Sequence, residues 1–92
     1  MIIFLDEEGA YHSWVTHHRP GYVLDWLRKP TKKRPVMHRA TCELVRRSKT
    51  KRTHWTTGRH LKACALDAEE LSAWAAAEGG DVEYCQTCEV AE

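Results

Sequence analysis

The sequence predicts an α+β fold, in which a short antiparallel sheet packs with two to three helices in one small domain. Three observations support this prediction. Residues 59–66 alternate between polar and apolar types, which is the pattern of a half-buried strand. Residues 67–78 place apolar side chains three or four positions apart, as an amphipathic helix does. Two pairs of potential metal ligands, spaced H-x3-C and C-x2-C, are typical of small domains that depend on a bound ion.

The length of 92 residues corresponds to a single domain, 1–92. A chain of this size buries only about 60–65% of the surface that its unfolded form exposes, so its hydrophobic core alone is marginal. We divide the domain into a metal-site core over 36–88 and two basic loops over 28–35 and 46–53.

The amino-terminal part is predicted to form a strand, a helix and a second strand. Residues 1–5 are apolar and β-prone. Residues 10–18 carry aromatic and apolar side chains at helical spacing, and Pro20 and Gly21 end this helix. Residues 22–27 are predicted to be a partly buried strand.

A strand over 36–39 and a short helix over 42–47 are predicted between the two basic loops. The first loop, 28–35, contains two prolines and five Lys or Arg residues, which is incompatible with a regular element. Thr41 is expected to cap the short helix. The helix dipole would then favour a thiolate at Cys42, in the first turn.

Two further strands are predicted after the second basic loop. Residues 53–57 are β-prone and end at a glycine turn. The strand over 59–66 is the clearest in the chain, with Leu61 on one face and Lys62 and Cys64 on the other.

The carboxyl-terminal part is predicted to contain the clearest helix. Asp67 is its N-cap, and Glu70 completes a pattern that resembles a capping box. Gly79 and Gly80 end the helix, and a short strand over 81–84 leads to the C-x2-C pair. The apolar stripe of the helix consists of Ala68, Leu71, Trp74 and Ala75.

The two ligand pairs are interpreted as halves of one structural zinc site. His38 and Cys42 form one pair, and Cys85 and Cys88 form the other. Three thiolates and one imidazole complete the tetrahedron that Zn²⁺ prefers and leave no open position for water. Cys64 could replace His38 to give four thiolates, or it could be a small buried apolar residue. The remaining alternative is that all the cysteines are simply buried and unrelated.

Around these ligands the chain resembles a family of small zinc domains. The segments 36–42 and 84–88, separated by the helix-like 69–80, are similar to the H/C-x3-C…C-x2-C layout of the metal-binding domain of the adaptive-response DNA methyltransferase. From Trp14 onward the chain also resembles uncharacterised actinobacterial modules, some of them appended to restriction-type nucleases. The resemblance implies DNA binding as a recognition module of a restriction or defence nuclease. It does not imply methyl-phosphotriester repair, because His38 stands where that activity needs an acceptor thiolate.

Charge is strongly segregated along the chain, and this predicts a nucleic-acid partner, most readily duplex DNA. All 14 Lys and Arg residues lie between Arg19 and Lys62, together with only two acidic residues, Asp25 and Glu43. A basic surface of this kind releases counterions from phosphates. The expected contact residues are Arg28, Lys29, Lys32, Lys33, Arg34, Arg46, Arg47, Lys49, Lys51, Arg52, Trp55 and Arg59.

Two alternatives remain open at this point. Trp55 could stack on a base between the basic stretches, or it could belong to the core of a small domain. The whole domain could instead be a protein–protein interaction adaptor, whose basic middle and acidic remainder meet complementary partners. Pairing of basic with acidic side chains within the chain would favour the second role.

The sequence predicts neither an enzyme nor a membrane protein. It contains no G-x-G-x-x-G, Walker or H-E-x-x-H motif, and a zinc ion with four protein ligands cannot activate water. It has no long apolar run and no basic leader at its start. We therefore expect a cytoplasmic protein with reduced thiols, a setting in which C-x2-C indicates a metal before a disulfide.

Overall fold

The structure, a computed structural model, describes residues 1–29, 33–46 and 55–88. Two α-helices and five strands make up the regular elements of these residues, which agrees with the predicted α+β class. The elements in chain order are β1 (Ile2–Phe4), α1 (Glu8–His17), β2 (Tyr22–Leu27), β3 (Val36–Arg39), a 3-10 turn (Glu43–Val45), β4 (His60–Ala65), α2 (Ala68–Ala77) and β5 (Glu83–Tyr84).

The five strands form one sheet in the order β1-β4-β2-β3-β5. Its centre is antiparallel, with Tyr22 opposite Ala65 on β4 and opposite Arg39 on β3. The sheet differs from the predicted antiparallel arrangement at one edge, where β5 pairs parallel to β3. The connection between β3 and β5 contains β4 and α2, and this length lets the chain return in the same direction.

The two helices pack on opposite faces of the sheet. Successive residues of a strand point to opposite sides, so Val23 and Leu24 of β2 enter different parts of the core. Val23 lies in a buried cluster with Trp14 of α1. Leu24 lies in a second buried cluster with Leu71 of α2. The domain is therefore a three-layer α/β/α arrangement around a sheet that is buried on both sides.

The alternation predicted for 59–66 is confirmed by β4. Leu61 packs in the cluster beneath α2, whereas Cys64 packs in the cluster beneath α1. Lys62 shares the α1 side and is 0% exposed. Its Nζ lies 2.8 Å from Asp25 Oδ1 and donates a hydrogen bond to the backbone oxygen of Trp55 at 2.8 Å. A buried ammonium is tolerated here because these oxygens replace its water.

The helix predicted over 67–78 is also confirmed, as α2. The Asp67 carboxylate accepts a hydrogen bond from the Glu69 amide at 2.9 Å, as an N-cap does. Gly79 follows the helix with φ of 82°, the left-handed conformation that favours glycine at this position. The stripe residues Leu71 and Ala75 are buried against the sheet.

Two predicted elements differ from the structure. Within the described part of the helix expected over 42–47, the structure has a single 3-10 turn, Glu43–Val45, preceded by Cys42 in an extended conformation, while 47 lies outside the described residues. Cys42 is therefore outside any helical turn, and the helix-dipole argument for its thiolate was wrong. The strand expected over 53–57 is a bend over 55–57, while 53 and 54 lie outside the described residues. Tertiary contacts of 55–56 with α1 and β4 outweigh its β propensity.

No helix within 1–29, 33–46 or 55–88 combines the length and the apolar character needed to cross a bilayer.

Candidate metal centre

The parallel pairing of β3 and β5 creates the candidate metal centre. In parallel neighbours both strands end at the same edge of the sheet, so the residues that follow them meet. Met37 pairs with Tyr84, and the Cys85 amide donates a hydrogen bond to the Met37 carbonyl at 2.9 Å. His38 near the end of β3 and the C-x2-C pair after β5 are thus brought together, although Cys85 follows His38 by 47 positions in the sequence.

His38, Cys42, Cys85 and Cys88 form one compact cluster that can hold a metal ion. Their potential ligand atoms all lie within 4.8 Å of one another. The Sγ atoms of Cys42 and Cys85 are 4.0 Å apart. Two thiolates bound at about 2.3 Å to one tetrahedral zinc ion would be about 3.8 Å apart, whereas a disulfide would need about 2.05 Å. The 4.0 Å between the two sulfurs therefore fits a shared ion and is too long for a disulfide bond.

The surroundings of the cluster are largely closed to solvent. His38, Cys42 and Cys85 are buried, and Cys88 is half-buried. The backbone of Arg39 contacts one of the ligands, because its amide donates a hydrogen bond to Cys88 Sγ at 3.4 Å. The Arg39 side chain also donates to the Cys88 carbonyl at 3.3 Å and so holds the C-x2-C turn against β3. Such contacts orient ligands before an ion arrives.

The 3-10 turn after Cys42 is held in place from the α1 side. The Tyr11 hydroxyl donates a buried hydrogen bond to the Val45 carbonyl at 2.7 Å. The Cys42 amide donates to the Arg39 carbonyl at 2.9 Å, which closes the turn between β3 and the second ligand. Helix α1 therefore helps to position Cys42 without contributing a ligand.

Two thiols of the cluster, Cys42 and Cys85, have opposite pKa shifts. Burial raises the pKa of the Cys42 thiol to about 12, and the neighbouring Cys88 adds to this increase. At Cys85 burial again acts to raise the pKa, but hydrogen bonds from the Cys88 and Thr87 amides outweigh it and the pKa is lowered. Of these two thiols, Cys85 is therefore the more readily ionised.

Cys64 lies outside this cluster, so the fourth potential ligand beside the three cysteines is His38. Val23 of the central strand β2 is paired with His38 on one side and with Cys64 on the other. Two strand spacings therefore separate His38 from Cys64, which amounts to about 9.5 Å between their backbones. Cys64 is instead 0% exposed in the core, which is the second of the two roles considered for it. Burial raises its pKa to about 12.

Some of the predicted phosphate-contact residues are engaged in contacts within the domain. The Arg28 guanidinium pairs with Asp6 at 2.9 Å and also donates to the His60 and Thr56 carbonyls. Arg34 pairs with Asp81 at 3.0 Å and with Glu83 at 3.3 Å. These pairs help to connect the ends of the first basic loop to β1 and β5.

The remaining predicted residues fall into three groups. Lys29, Lys33 and Arg59 are exposed. Arg46 is half-buried and donates to the Ala40 carbonyl at 3.4 Å. The residues that lie outside the described part of the chain are Lys32, Arg47, Lys49, Lys51 and Arg52.

Trp55 does not provide a base-stacking surface, and its inclusion among the contact residues was wrong. The side chain is 1% exposed and contacts the rings of Tyr11 and His12 at centroid distances of 6.1 and 5.1 Å. Its amide donates to Glu8 Oε2 at 2.7 Å. A small domain needs large aromatic side chains to fill its core, and this need decides the position of Trp55.

The sequence interpretation missed a different pair of aromatic residues. Trp26 of β2 and Trp74 of α2 are both half-buried and stand edge to face, with ring centroids 5.9 Å apart. Trp74 was recognised as part of the apolar stripe of α2, but its position next to the first basic loop depends on how α2 packs on the sheet. No sequence pattern within β2 or within α2 indicates the contact between these two rings.

Comparison with known proteins gave no match: no family model, no curated protein and no solved structure matches the chain.

Proposed function

We propose that His38, Cys42, Cys85 and Cys88 hold one structural Zn²⁺ ion. Soft thiolate and imidazole donors select zinc among common divalent ions, and the cluster supplies four of them. When bound, the ion would crosslink the ends of β3 and β5. For a domain with a marginal core, this crosslink would supply a large part of the folding free energy.

Metal content measured on two cysteine variants tests this assignment. The purified chain should contain one zinc per molecule, and Cys85→Ser should lose it together with the folded state. The matched control is Cys64→Ala, which removes a buried thiol outside the cluster and should keep one zinc per molecule. A Cys64→Ala variant without zinc, or a Cys85→Ser variant with it, would contradict the proposed ligand set.

We further propose that the domain binds nucleic acid through the end of the sheet opposite to the metal centre. We call this end, where β2 finishes and β4 begins, the basic end. The first basic loop begins at this end directly after Leu27, and Arg59 lies there directly before His60, which is paired with Leu27. The Arg28 amide donates a hydrogen bond to the Arg59 carbonyl at 2.9 Å, so the start of the first basic loop is joined to the residue that precedes β4.

The grouping of cations at the junction of Arg28 and Arg59 is the observation that supports the proposal. Exposed Lys29 and Arg59 stand at this junction, and the first basic loop carries further Lys and Arg. Cations gathered at one end of a domain follow a phosphate backbone more effectively than the same cations spread over its surface. The ion pairs of Arg28 and Arg34 reduce the excess charge without removing it.

Binding to labelled duplex DNA at several salt concentrations tests the proposed surface. Lys29→Gln combined with Arg59→Gln should weaken binding and reduce the slope of log affinity against log salt by about 0.9 for each lost contact. The matched control is Arg19→Gln, an exposed cation that precedes β2 and so lies at the opposite end of the sheet. Equal slopes for the double variant and the unaltered chain would rule out this surface.

The same titration bears on the two other roles that the sequence suggested. A preference for cytosine-methylated over plain duplex would support a recognition module of a restriction-type nuclease, for which the resemblance is the present support. The adaptor alternative is favoured by the pairing of Arg34 with Asp81 and Glu83, since this uses cations within the domain. Absence of duplex binding even at low salt would make the adaptor the better proposal.

A further inference from the structure

A groove lies next to the basic end, on the face of the sheet that α2 covers. Its volume is about 240 Å³, and it is lined by Trp26, Leu27, Arg28, Lys29, Leu61, Trp74 and Glu78. Trp26 and Leu61 are opposite each other on β2 and β4 and form an apolar floor. This volume is below the range for drug-sized ligands, which suits a single small planar group.

The aromatic wall of the groove is fixed by packing. The Trp26 ring lies over Gly80, where a Cβ would be 2.6 Å from the ring atom Cη2. Trp74 stands perpendicular to Trp26 at an interplanar angle of 86°. The Trp26 indole donates to the Lys33 carbonyl at 3.2 Å, so the first basic loop is tied directly to the aromatic wall.

The charges around the groove discriminate between possible ligands. Exposed Lys29 and Glu78 stand at its rim, while the Arg28 guanidinium is held by Asp6. A methylated ammonium would suit the aromatic faces but would meet the positive charge of Lys29. A simple anion would be repelled by the Glu78 carboxylate and by the negative faces of the rings. A nucleotide offers an aromatic base for the wall, a phosphate for Lys29 and, in cytosine, an amino donor for Glu78.

We propose that this groove binds one unpaired base of a nucleic-acid strand and prefers cytosine to thymine. The base contacts the indole of Trp74, its N4 amino group donates to the Glu78 carboxylate, and Lys29 contacts the adjoining phosphate. A carboxylate accepts from cytosine N4 but meets an acceptor, O4, in thymine. Aromatic side chains beside a basic loop are the usual means of binding single strands. This inference rests on the proposed nucleic-acid function and adds the ligand class.

Ten-nucleotide strands of deoxycytidine and of thymidine, labelled for anisotropy, test the groove with the zinc-loaded chain. The deoxycytidine strand should bind about tenfold more tightly, as one good carboxylate–amine contact would provide. Glu78→Ala should remove this preference. Its control, Glu69→Ala, changes an exposed glutamate in the first turn of the same helix and should retain it. Equal binding of the two strands, or a preference that survives Glu78→Ala, would overturn the inference.

The stacking contact is tested separately with Trp74→Leu, which keeps an apolar side chain over the sheet. This variant should bind both strands about tenfold more weakly, since loss of one stacked base has that effect. Strand binding should also quench the tryptophan emission of the unaltered chain, because Trp26 and Trp74 are the partly exposed tryptophans. Unchanged affinity in Trp74→Leu, provided that its circular dichroism shows the native fold, contradicts the stacking role.

Duplex DNA in parallel titrations separates failure of this inference from failure of the proposed function. Salt-dependent duplex binding that responds to Lys29→Gln and Arg59→Gln, together with equal affinity for the two single strands, would remove the groove but keep the function. Loss of all salt-dependent binding to duplex and single strands would remove both.

Discussion

Lys62 and Asp25 form an ion pair across the two central strands of the sheet, with Nζ and Oδ1 2.8 Å apart. Their backbones are register partners on β4 and β2. The lysine side chain is 0% exposed and the aspartate side chain is 19% exposed. The two charges therefore differ in their access to water, and this difference has measurable consequences for the variants of each residue.

Asp25→Ala should destabilise the domain more than Lys62→Met. Removing the aspartate leaves a buried ammonium without its carboxylate, which costs about 3 kcal/mol or more. Removing the lysine leaves a carboxylate that water can still reach, and methionine refills the space, so the loss should be about 1–2 kcal/mol. Urea unfolding of the two zinc-loaded variants measures both values. The reverse order of stabilities would show that water reaches Lys62 in solution.

Glu8 should make the stability of the domain sensitive to acid. Burial acts to raise the pKa of Glu8, but hydrogen bonds from the Thr56 hydroxyl and from the Trp55 and Thr56 amides outweigh it, and the pKa is lowered. A carboxyl with a lower pKa in the folded state stabilises fully above its unfolded pKa of about 4.3. This contribution is lost as the pH falls through the folded pKa.

The measurement for Glu8 is the free energy of unfolding between pH 7 and pH 3 for Glu8→Gln and for the unaltered chain. The variant should be less stable at pH 7, and the difference should shrink below about pH 4.3 as the native carboxyl becomes protonated. Glu7→Gln, at the exposed neighbouring position, is the control and should follow the unaltered chain. A difference that stays constant with pH would argue against the role assigned to the Glu8 charge.

Tyr11 should couple the packing of α1 to metal retention. Tyr11→Phe removes the buried 2.7 Å hydrogen bond to the Val45 carbonyl, in the turn that follows Cys42. An unsatisfied buried carbonyl costs about 1–3 kcal/mol, so the variant should be less stable by about that amount. It should also transfer zinc to a chelating indicator faster than the unaltered chain.

Tyr22→Phe serves as the comparison for Tyr11→Phe, because it removes the hydroxyl of a half-buried tyrosine that packs with the α2-side cluster. It should leave the rate of zinc transfer unchanged. Equal zinc-transfer rates for Tyr11→Phe and the unaltered chain would mean that the turn holds Cys42 without help from α1.

Substitution by alanine should change the stability of the domain in opposite directions at Gly79 and at Gly9. Gly79 has φ of 82°, and alanine there should cost about 1 kcal/mol from backbone strain. Gly9 lies within α1, where a Cβ would meet nothing within 4 Å, so alanine should stabilise by about 0.5 kcal/mol. Thermal unfolding of the two variants checks the signs. A stabilising Gly79→Ala would contradict the left-handed conformation of this residue.

The sequence by itself determined the local elements whose signals lie within a few residues. The alternation of β4 and the Asp67 cap of α2 were both predicted from the printed residues and are present in the structure. The four ligand candidates were also identified in this way, since the residue types and the short spacings of each pair are local properties. Whether Cys64 would take the place of His38 among the ligands was left open.

Tertiary structure decided between the alternatives that the sequence left open. The parallel pairing of β5 with β3 selected His38 over Cys64, because Cys64 lies across β2 from the cluster. Packing of the core buried the Trp55 side chain and placed Trp26 beside Trp74. These outcomes depend on contacts between residues far apart in the chain, and their free energies outweigh the weak local preferences that a single segment can express.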